Sequence, residues 1–239
     1  MKQSNKVTQE GVYSPSIFAT QQIAMKYTIG ITDSISDNFI YDEVMMVLEN
    51  AEEQDEIVFN IASYGGQLSS LLSLRSGILS TKATVTGKLV SHACSAAGML
   101  LLCCHNKIVY PNTTFHCHTA SYGSYGKSGD VKAQVDFETK QIENLMYEIY
   151  EGFLDADTEI PELLSGRELY FDAEDTIRRL DSHSKLREQQ HKESLQQSLD
   201  DEISLEVFTN EELAEELKLI QAEIKKRKNT KKEILGETK

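Results

Sequence analysis

The stretch from Leu89 to Cys104, LVSHACSAAGMLLLCC, constrains the fold of this chain more than any other part of its sequence. A β-prone run, residues 84–90, leads into small side chains around Ser95, and an apolar run typical of a helix follows. Small residues at a strand-to-helix turn let the backbone approach closely, as a nucleophile with an oxyanion site requires. A helix that begins after Ser95 would also direct free N–H groups at a developing negative charge. The alternative interpretation is an ordinary buried helix rich in small residues.

Composition narrows the classes of protein that this chain can belong to. The formal net charge of −14 disfavours nucleic acid as the main partner. The apolar content of 40% is enough for a substantial core, yet no stretch approaches the roughly 18 apolar residues that cross a bilayer. Residues 1–23 are polar and lack the apolar core of a signal peptide, so we expect a cytoplasmic protein.

The spacing of the cysteines and the lack of a phosphate-binding loop set expectations about cofactors. The four cysteines lack zinc-finger spacing, so we predict reduced, buried thiols, with no metal and no cofactor. No Walker-type loop is present, so any use of ATP would have to come from a partner protein. The cysteines are Cys94, Cys103, Cys104 and Cys117.

Strand-like and helix-like patterns alternate along the first 180 residues. This alternation is typical of βαβ units and predicts an α/β fold. The predicted strands are 27–31, 56–62, 83–90, 107–110 and 113–119. The predicted helices are 36–53, 68–79, a helix after Ser95, 130–154, 160–164 and 172–180, the first of them capped by Ser36 or Asp37.

The composition shifts at His183 to Gln, Glu, Lys, Ser and Asp, which indicates a domain boundary. Beyond it, Thr209 to Glu212 reads as a capping box, and an apolar seam runs from Leu213 to Ile224. This pattern predicts an amphipathic helix that docks on a partner or pairs with a second copy, or alternatively a solvated tail. We therefore expect a flexible segment 1–25, a domain 26–182, and a charged, partly helical extension 183–239.

Five motifs, in order, resemble the proteolytic subunit of the Clp protease family, including its bacteriophage-encoded relatives. The resemblance covers about residues 27–180. Tyr64 stands where the family usually has proline, and Ala96 where methionine is common. The motifs are the strand with a double-glycine turn from Phe59 to Gly66, the serine stretch from Ser91 to Gly98, the segment from Pro111 to His118, the long helix after the glycine-rich run 121–129, and the segment from Gly166 to Glu174.

The resemblance implies a Clp-peptidase (crotonase-like) fold of repeated ββα units with a long handle helix, to which this chain adds a helical C-terminal extension. It also implies a serine endopeptidase that acts on protein or peptide substrates. Such enzymes assemble as heptameric rings, which can stack, with the catalytic sites facing an internal chamber. The resemblance further implies that an unfoldase ATPase can act as a partner, and it places the predicted helix 130–154 at an interface.

Transferred position by position, the resemblance makes Ser95 the nucleophile and His118 the general base. Glu168 falls where the family has the aspartate of the triad, and the N–H groups of Gly66 and Ala96 would form the oxyanion hole. This chemistry needs a base within roughly 3 Å of the hydroxyl and an acid that fixes the imidazole tautomer. Glutamate can fill the role of the triad acid, but its carboxylate reaches further from the backbone than that of aspartate by one methylene.

Each assignment has an alternative. Ser91 is a rival nucleophile, although it falls where the family has glycine. His116 is a rival base, because residues two apart on a strand face the same side. We favour His118 because it lies at the family's distance from Pro111. Glu168 is alternatively a plain surface carboxylate.

Three other functions compete with peptide hydrolysis or modify it. A catalytically silent subunit of the same fold could stand in a mixed ring, and an acyl-CoA enzyme could use the related crotonase fold. A viral head-maturation role is a biological variant of the peptidase.

Asp155, Asp157 and Glu159 suggest calcium, but the loop glycine of a calcium site is missing, so we expect solvated acids there.

Overall fold

A computed structural model describes residues 23–234, with side chains up to residue 200 and at a few positions beyond it. The chain divides between Leu180 and Asp181 into two compact units. Most of the predicted flexible segment, residues 1–25, lies outside the described residues, and the predicted domain bounds stay a prediction. Among the helices that the structure describes, none is both long enough and apolar enough to cross a membrane.

The first unit is built on one mixed sheet, and the α/β prediction is confirmed. The strands follow the order β1-β2-β3-β5-β6, and β4 pairs with β3 beside β5. All pairs are parallel except β5 with β6. The strands are β1 (Lys26–Ile31), β2 (Glu56–Ser63), β3 (Thr84–Cys94), β4 (Asn106–Val109), β5 (Thr114–Cys117) and β6 (Leu169–Phe171).

Strand β3 is the centre of the sheet because its two halves have different neighbours. Thr86 to Leu89 pairs with β4, whereas His92 to Cys94 pairs with β5. The predicted strand 83–90 covers only the first of these halves. The second half extends β3 to Cys94, so the strand ends directly before Ser95.

Most helices lie where the sequence places them, with different ends. The predicted helix 36–53 begins as a 3-10 turn, Asn38–Tyr41, without a side-chain cap. The predicted helix 172–180 continues to residue 234, so Thr209 lies within a helix rather than at its start. The helices are α1 (Asp42–Asn50), α2 (Leu68–Ser80), α3 (Ala96–Cys103), α4 (Ser128–Tyr150), α5 (Glu159–Leu164) and α6 (Ala173–Ile234).

Helix α3 is buried along almost its whole length, which explains its apolar sequence. Residues 96–102 are all buried, and the helix packs against β3, α2 and α4. Burial of each large apolar side chain contributes about 1.5–3 kcal/mol. The four cysteines form no disulfide, and Cys94, Cys104 and Cys117 are buried. The stretch around Ser95 is therefore both a buried helix and a turn that this helix anchors.

We expect Gly98→Ala to destabilise the first unit, because Gly98 has no room for a side chain. A Cβ there would lie 2.9 Å from Phe115 Cζ and 3.2 Å from the Ala93 carbonyl oxygen. Overpacking of this kind costs about 1–3 kcal/mol in the free energy of unfolding. The matched control is Gly129→Ala in helix α4, where a Cβ meets nothing within 4 Å. Urea unfolding of both variants tests the packing, and equal effects would contradict it.

Candidate active site

Ser95 forms the turn between β3 and α3 in a conformation that L-residues rarely adopt. Its φ is 54° and its ψ is −127°. The Ser95 N–H donates a hydrogen bond to the His116 carbonyl oxygen (2.9 Å), and its own carbonyl oxygen accepts one from the Met99 N–H (3.0 Å). Strain held in place by surrounding structure is typical of functional sites, and a strained strand–serine–helix turn exposes the hydroxyl of a nucleophile.

Gly65 packs directly against this turn. A Cβ on Gly65 would lie 2.6 Å from the Cys94 carbonyl oxygen and 2.8 Å from Ser95 Cβ, and the φ of Gly65 is +94°. Only glycine fits both the close approach and the backbone conformation. The double-glycine turn after β2 therefore brings its backbone into contact with the Ser95 turn.

Two N–H groups beside this turn have no acceptor in the described part of the chain. Ile35 bridges the double-glycine turn, accepting from the Gln67 N–H and donating to the Gly65 carbonyl oxygen, both at 2.8 Å, which leaves the Gly66 N–H unused. Ala96 is the first residue of α3, so its N–H has no acceptor within the helix. Both residues line the same cavity as Ser95. The two donors could therefore stabilise an oxyanion formed at Ser95.

His118 reaches the same cavity from the neighbouring strand. Strands β3 and β5 run parallel with Cys94 opposite His116, so Ser95 and His118 both follow the carboxyl ends of paired strands. The half-buried His118 ring contacts the Thr119 carbonyl oxygen through Nδ1, at 2.7 Å. Because a carbonyl oxygen only accepts, Nδ1 carries the proton and Nε2 is left as a proton acceptor.

A cavity of about 550 Å³ contains four of the five predicted site residues. Ser95, Gly66, Ala96 and His118 line it, whereas Glu168 does not. No hydrogen bond joins Ser95 Oγ to His118 among the residues described. The remaining lining residues are Ser34, Ile35, Ser36, Tyr64, Gln67, Leu68, Met99, Ala120, Ser121 and Met146.

A serine–histidine hydrogen bond does form elsewhere on β3. Ser91 Oγ lies 3.1 Å from His92 Nδ1, and the His92 ring lies 4.1 Å from the Tyr64 ring, centroid to centroid. Neither Ser91 nor His92 lines the cavity. The rival nucleophile therefore has a possible base, but it lies apart from the two free N–H groups.

Glu168 lies beside His116, not in the cavity. Its Oε2 accepts a hydrogen bond from the Tyr170 hydroxyl (2.6 Å) and lies 3.6 Å from His116 Nε2. The hydrogen bond from Tyr170 lowers the pKa of Glu168 most, and the two nearby imidazoles, His116 and His118, lower it further. In the described residues no ion pair joins Glu168 to His118. The predicted acid is therefore near the predicted base, but its direct contacts are with other groups.

The contacts of Glu168 follow from the pairing of β5 with β6. His116 and Tyr170 are opposite each other in this antiparallel pair, and their rings stack with centroids 4.1 Å apart and an interplanar angle of 5°. The His118 ring also stacks on the His116 ring, with centroids 5.3 Å apart. The sequence alone does not indicate that Tyr170 belongs to this cluster, because β6 has only three residues and gives no clear strand pattern.

His116 makes the stability of the fold sensitive to acid. Burial, followed by the neighbouring His118, lowers the pKa of His116, and its buried Nε2 has no hydrogen-bond partner among the described residues. The unfolded chain therefore binds more protons at this residue as pH falls below about 6.5, so the free energy of unfolding decreases there. We expect His116→Phe to weaken this pH dependence and the exposed His191→Phe to leave it unchanged, as urea titrations between pH 5 and pH 8 would show. If the free energy of unfolding depends on pH in the same way in both variants, His116 is not the source of the acid sensitivity.

The acidic residues that suggested calcium form a local turn instead. Asp155 Oδ1 accepts from the N–H groups of Asp157 (3.1 Å) and Thr158 (2.8 Å), and Glu159 pairs with Arg179 at 2.8 Å. Among the residues that the structure describes, no group of three or more His, Cys, Asp or Glu side chains could hold a metal ion. The carboxylates of Asp155 and Glu159 are satisfied by protein donors.

Comparison with models of known protein families identifies the family of this chain. The model of a protein family described as Clp protease matches residues 10–179, which is more than half of the chain. A search of curated protein sequences returns no match. The matched segment contains Ser95, His118, Glu168 and both N–H donors.

Proposed function

The chain belongs to the Clp protease family, and from the geometry of its site we propose that it is a serine endopeptidase that hydrolyses peptide bonds in protein substrates. The observation that carries this proposal is the convergence of three separate segments on one cavity. The double-glycine turn supplies Gly66, the β3–α3 turn supplies Ser95 and Ala96, and the end of β5 supplies His118. A hydroxyl, an imidazole and paired N–H donors are the groups that acyl transfer requires.

In the proposed mechanism, Ser95 Oγ attacks the peptide carbonyl carbon while His118 Nε2 takes the hydroxyl proton. The N–H groups of Gly66 and Ala96 stabilise the negative charge on the carbonyl oxygen. His118 then donates the proton to the leaving amine, and a water molecule activated by the same ring hydrolyses the acyl-enzyme. A single oxyanion donor is worth about 2.7–4 kcal/mol of transition-state stabilisation.

The cavity walls support a preference for apolar substrate side chains. Ile35, Leu68, Met99 and Met146 contribute apolar groups around Ser95. The two methionines are flexible and polarisable, so they adapt to side chains of different shape. The substrate class proposed is therefore an extended peptide with an apolar residue at the cleaved bond.

We further propose that the chain works as a homo-oligomeric ring, heptameric and able to stack, with an unfoldase ATPase as partner. Helix α4 supports this assembly, because its buried residues Leu145, Met146, Ile149 and Tyr150 are confined to its last two turns. Phe137, earlier in α4, is 65% exposed. The first part of α4 thus has an apolar residue free to contact a second copy. The cytoplasmic location expected from the sequence stays a prediction.

Native mass spectrometry combined with a peptidase assay tests the function and the assembly together. We expect a mass that corresponds to one or two heptamers of the 26.9 kDa chain, and turnover of an internally quenched peptide with an apolar residue at the cleaved bond. A ring of that mass without turnover would favour the catalytically silent subunit. Hydrolysis of an acyl-CoA thioester that survives Ser95→Ala would favour the crotonase-like enzyme instead.

A further inference from the structure

We propose that the main-chain carbonyl of Thr119, and not the Glu168 carboxylate, is the acceptor that fixes the tautomer of the catalytic imidazole. This inference rests on the proposed function, since it concerns the base of the same site. The observation that carries it is the hydrogen bond from His118 Nδ1 to the Thr119 oxygen, at 2.7 Å. The third member of the catalytic group is then part of the backbone.

A carbonyl can perform the orienting role of a triad acid. That role is to hold Nδ1–H in a hydrogen bond so that Nε2 faces the nucleophile as a free acceptor. The Thr119 oxygen accepts at 2.7 Å, within the range of a well-formed hydrogen bond, and a carbonyl cannot donate. Because the acceptor belongs to the next residue along the chain, the contact does not depend on the β5–β6 pairing that places Glu168.

Glu168 already has other direct partners. Its Oε2 lies 2.6 Å from the Tyr170 hydroxyl and 3.6 Å from His116 Nε2. The Glu168 side chain is 56% exposed, so solvent screens its attraction for a positive charge on His118. Any stabilisation of the His118 imidazolium by Glu168 acts through space and is weak compared with a direct hydrogen bond.

The decisive substitution is Glu168→Gln, which removes the charge and keeps the shape. We expect kcat/KM for the quenched peptide to fall by less than about tenfold, whereas loss of a tautomer-fixing acid in a serine protease lowers kcat by about 10⁴. The matched control is Tyr170→Phe, which removes the hydroxyl that holds Glu168.

A loss of about 10³-fold or more in Glu168→Gln, with the activity of Tyr170→Phe retained, would overturn the inference. It would leave the proposed function standing, because that function is tested by turnover in the unmodified protein and by its loss in Ser95→Ala. The two failures are therefore distinguishable in one set of assays.

A second measurement tests the tautomer without any need for activity. The full chain is labelled with ¹⁵N-histidine, and the His118 signals are assigned by their loss in His118→Ala. We expect the nitrogen shifts of a ring protonated at Nδ1, in the unmodified protein and in Glu168→Gln alike. A ring protonated at Nε2, or a tautomer that changes when Glu168 becomes glutamine, would contradict the role of the Thr119 carbonyl.

Discussion

Replacing Ser95 with alanine is expected to lower kcat for peptide hydrolysis by about 10⁶-fold, the loss that removal of the serine nucleophile causes in an established serine protease. The substitution removes the Ser95 hydroxyl, which lines the cavity at the strained β3–α3 turn. Alanine deletes a single oxygen, so the buried helix α3 keeps its packing and the variant is expected to fold normally. The measurement is steady-state turnover of the quenched peptide by the assembled protein.

Ser91→Ala is the matched control for this substitution. Ser91 lies four residues earlier on β3, is exposed, and bonds to His92 outside the cavity. Turnover is expected to be unchanged in this variant. If Ser91→Ala abolishes activity and Ser95→Ala preserves it, the nucleophile is misassigned and the Ser91–His92 pair becomes the candidate site.

Replacing His118 with alanine is expected to have the second largest effect, also approaching 10⁶-fold in kcat. Without the ring, no group in the cavity takes the Ser95 proton at neutral pH, because the other lining side chains are hydroxyl, amide, phenol, thioether or aliphatic groups. The double variant Ser95→Ala/His118→Ala should be little worse than either single one, since the two residues act as a unit. Steady-state turnover of the three variants measures both points.

His116, two residues before His118, provides the control for His118→Ala. His116 does not line the cavity, and its ring stacks on the rings of Tyr170 and His118. His116→Phe keeps an aromatic ring in that stack, so most of the activity should remain. Should His116→Phe be inactive while His118→Ala still turns over peptide, the roles of the two histidines would be reversed.

The order of helices and strands could be predicted from the sequence because its signals are local. The apolar run of β2 and the small residues around Ser95 each indicate their own conformation without reference to distant residues. The two neighbours of β3 could not be predicted, because β4 pairs with the first half of this strand and β5 pairs with its second half. Such long-range pairing has no local signal in the sequence. The same holds for β6, whose three residues acquire strand geometry only by pairing with β5.

In the candidate site, too, some residues could be predicted from the sequence, whereas others depend on long-range strand pairing. The resemblance brought together Ser95, His118, Gly66 and Ala96, and the structure places all four around one cavity. The surroundings of Glu168 depend on the register that sets Tyr170 opposite His116, which no sequence pattern reports. The Thr119 carbonyl was missed for a simpler reason: every residue has a carbonyl, so an orienting main-chain oxygen has no signature in a sequence.

Labelling with a fluorophosphonate tests the central claim most directly, because this reagent reacts with a serine hydroxyl only where a base and an oxyanion site activate it. The full-length protein is labelled, digested and mapped by mass spectrometry, next to Ser95→Ala. Convergence of hydroxyl, imidazole and N–H donors predicts one adduct per chain, on Ser95, and none in the variant. An adduct on another serine, or no adduct on a folded and assembled protein, would contradict it.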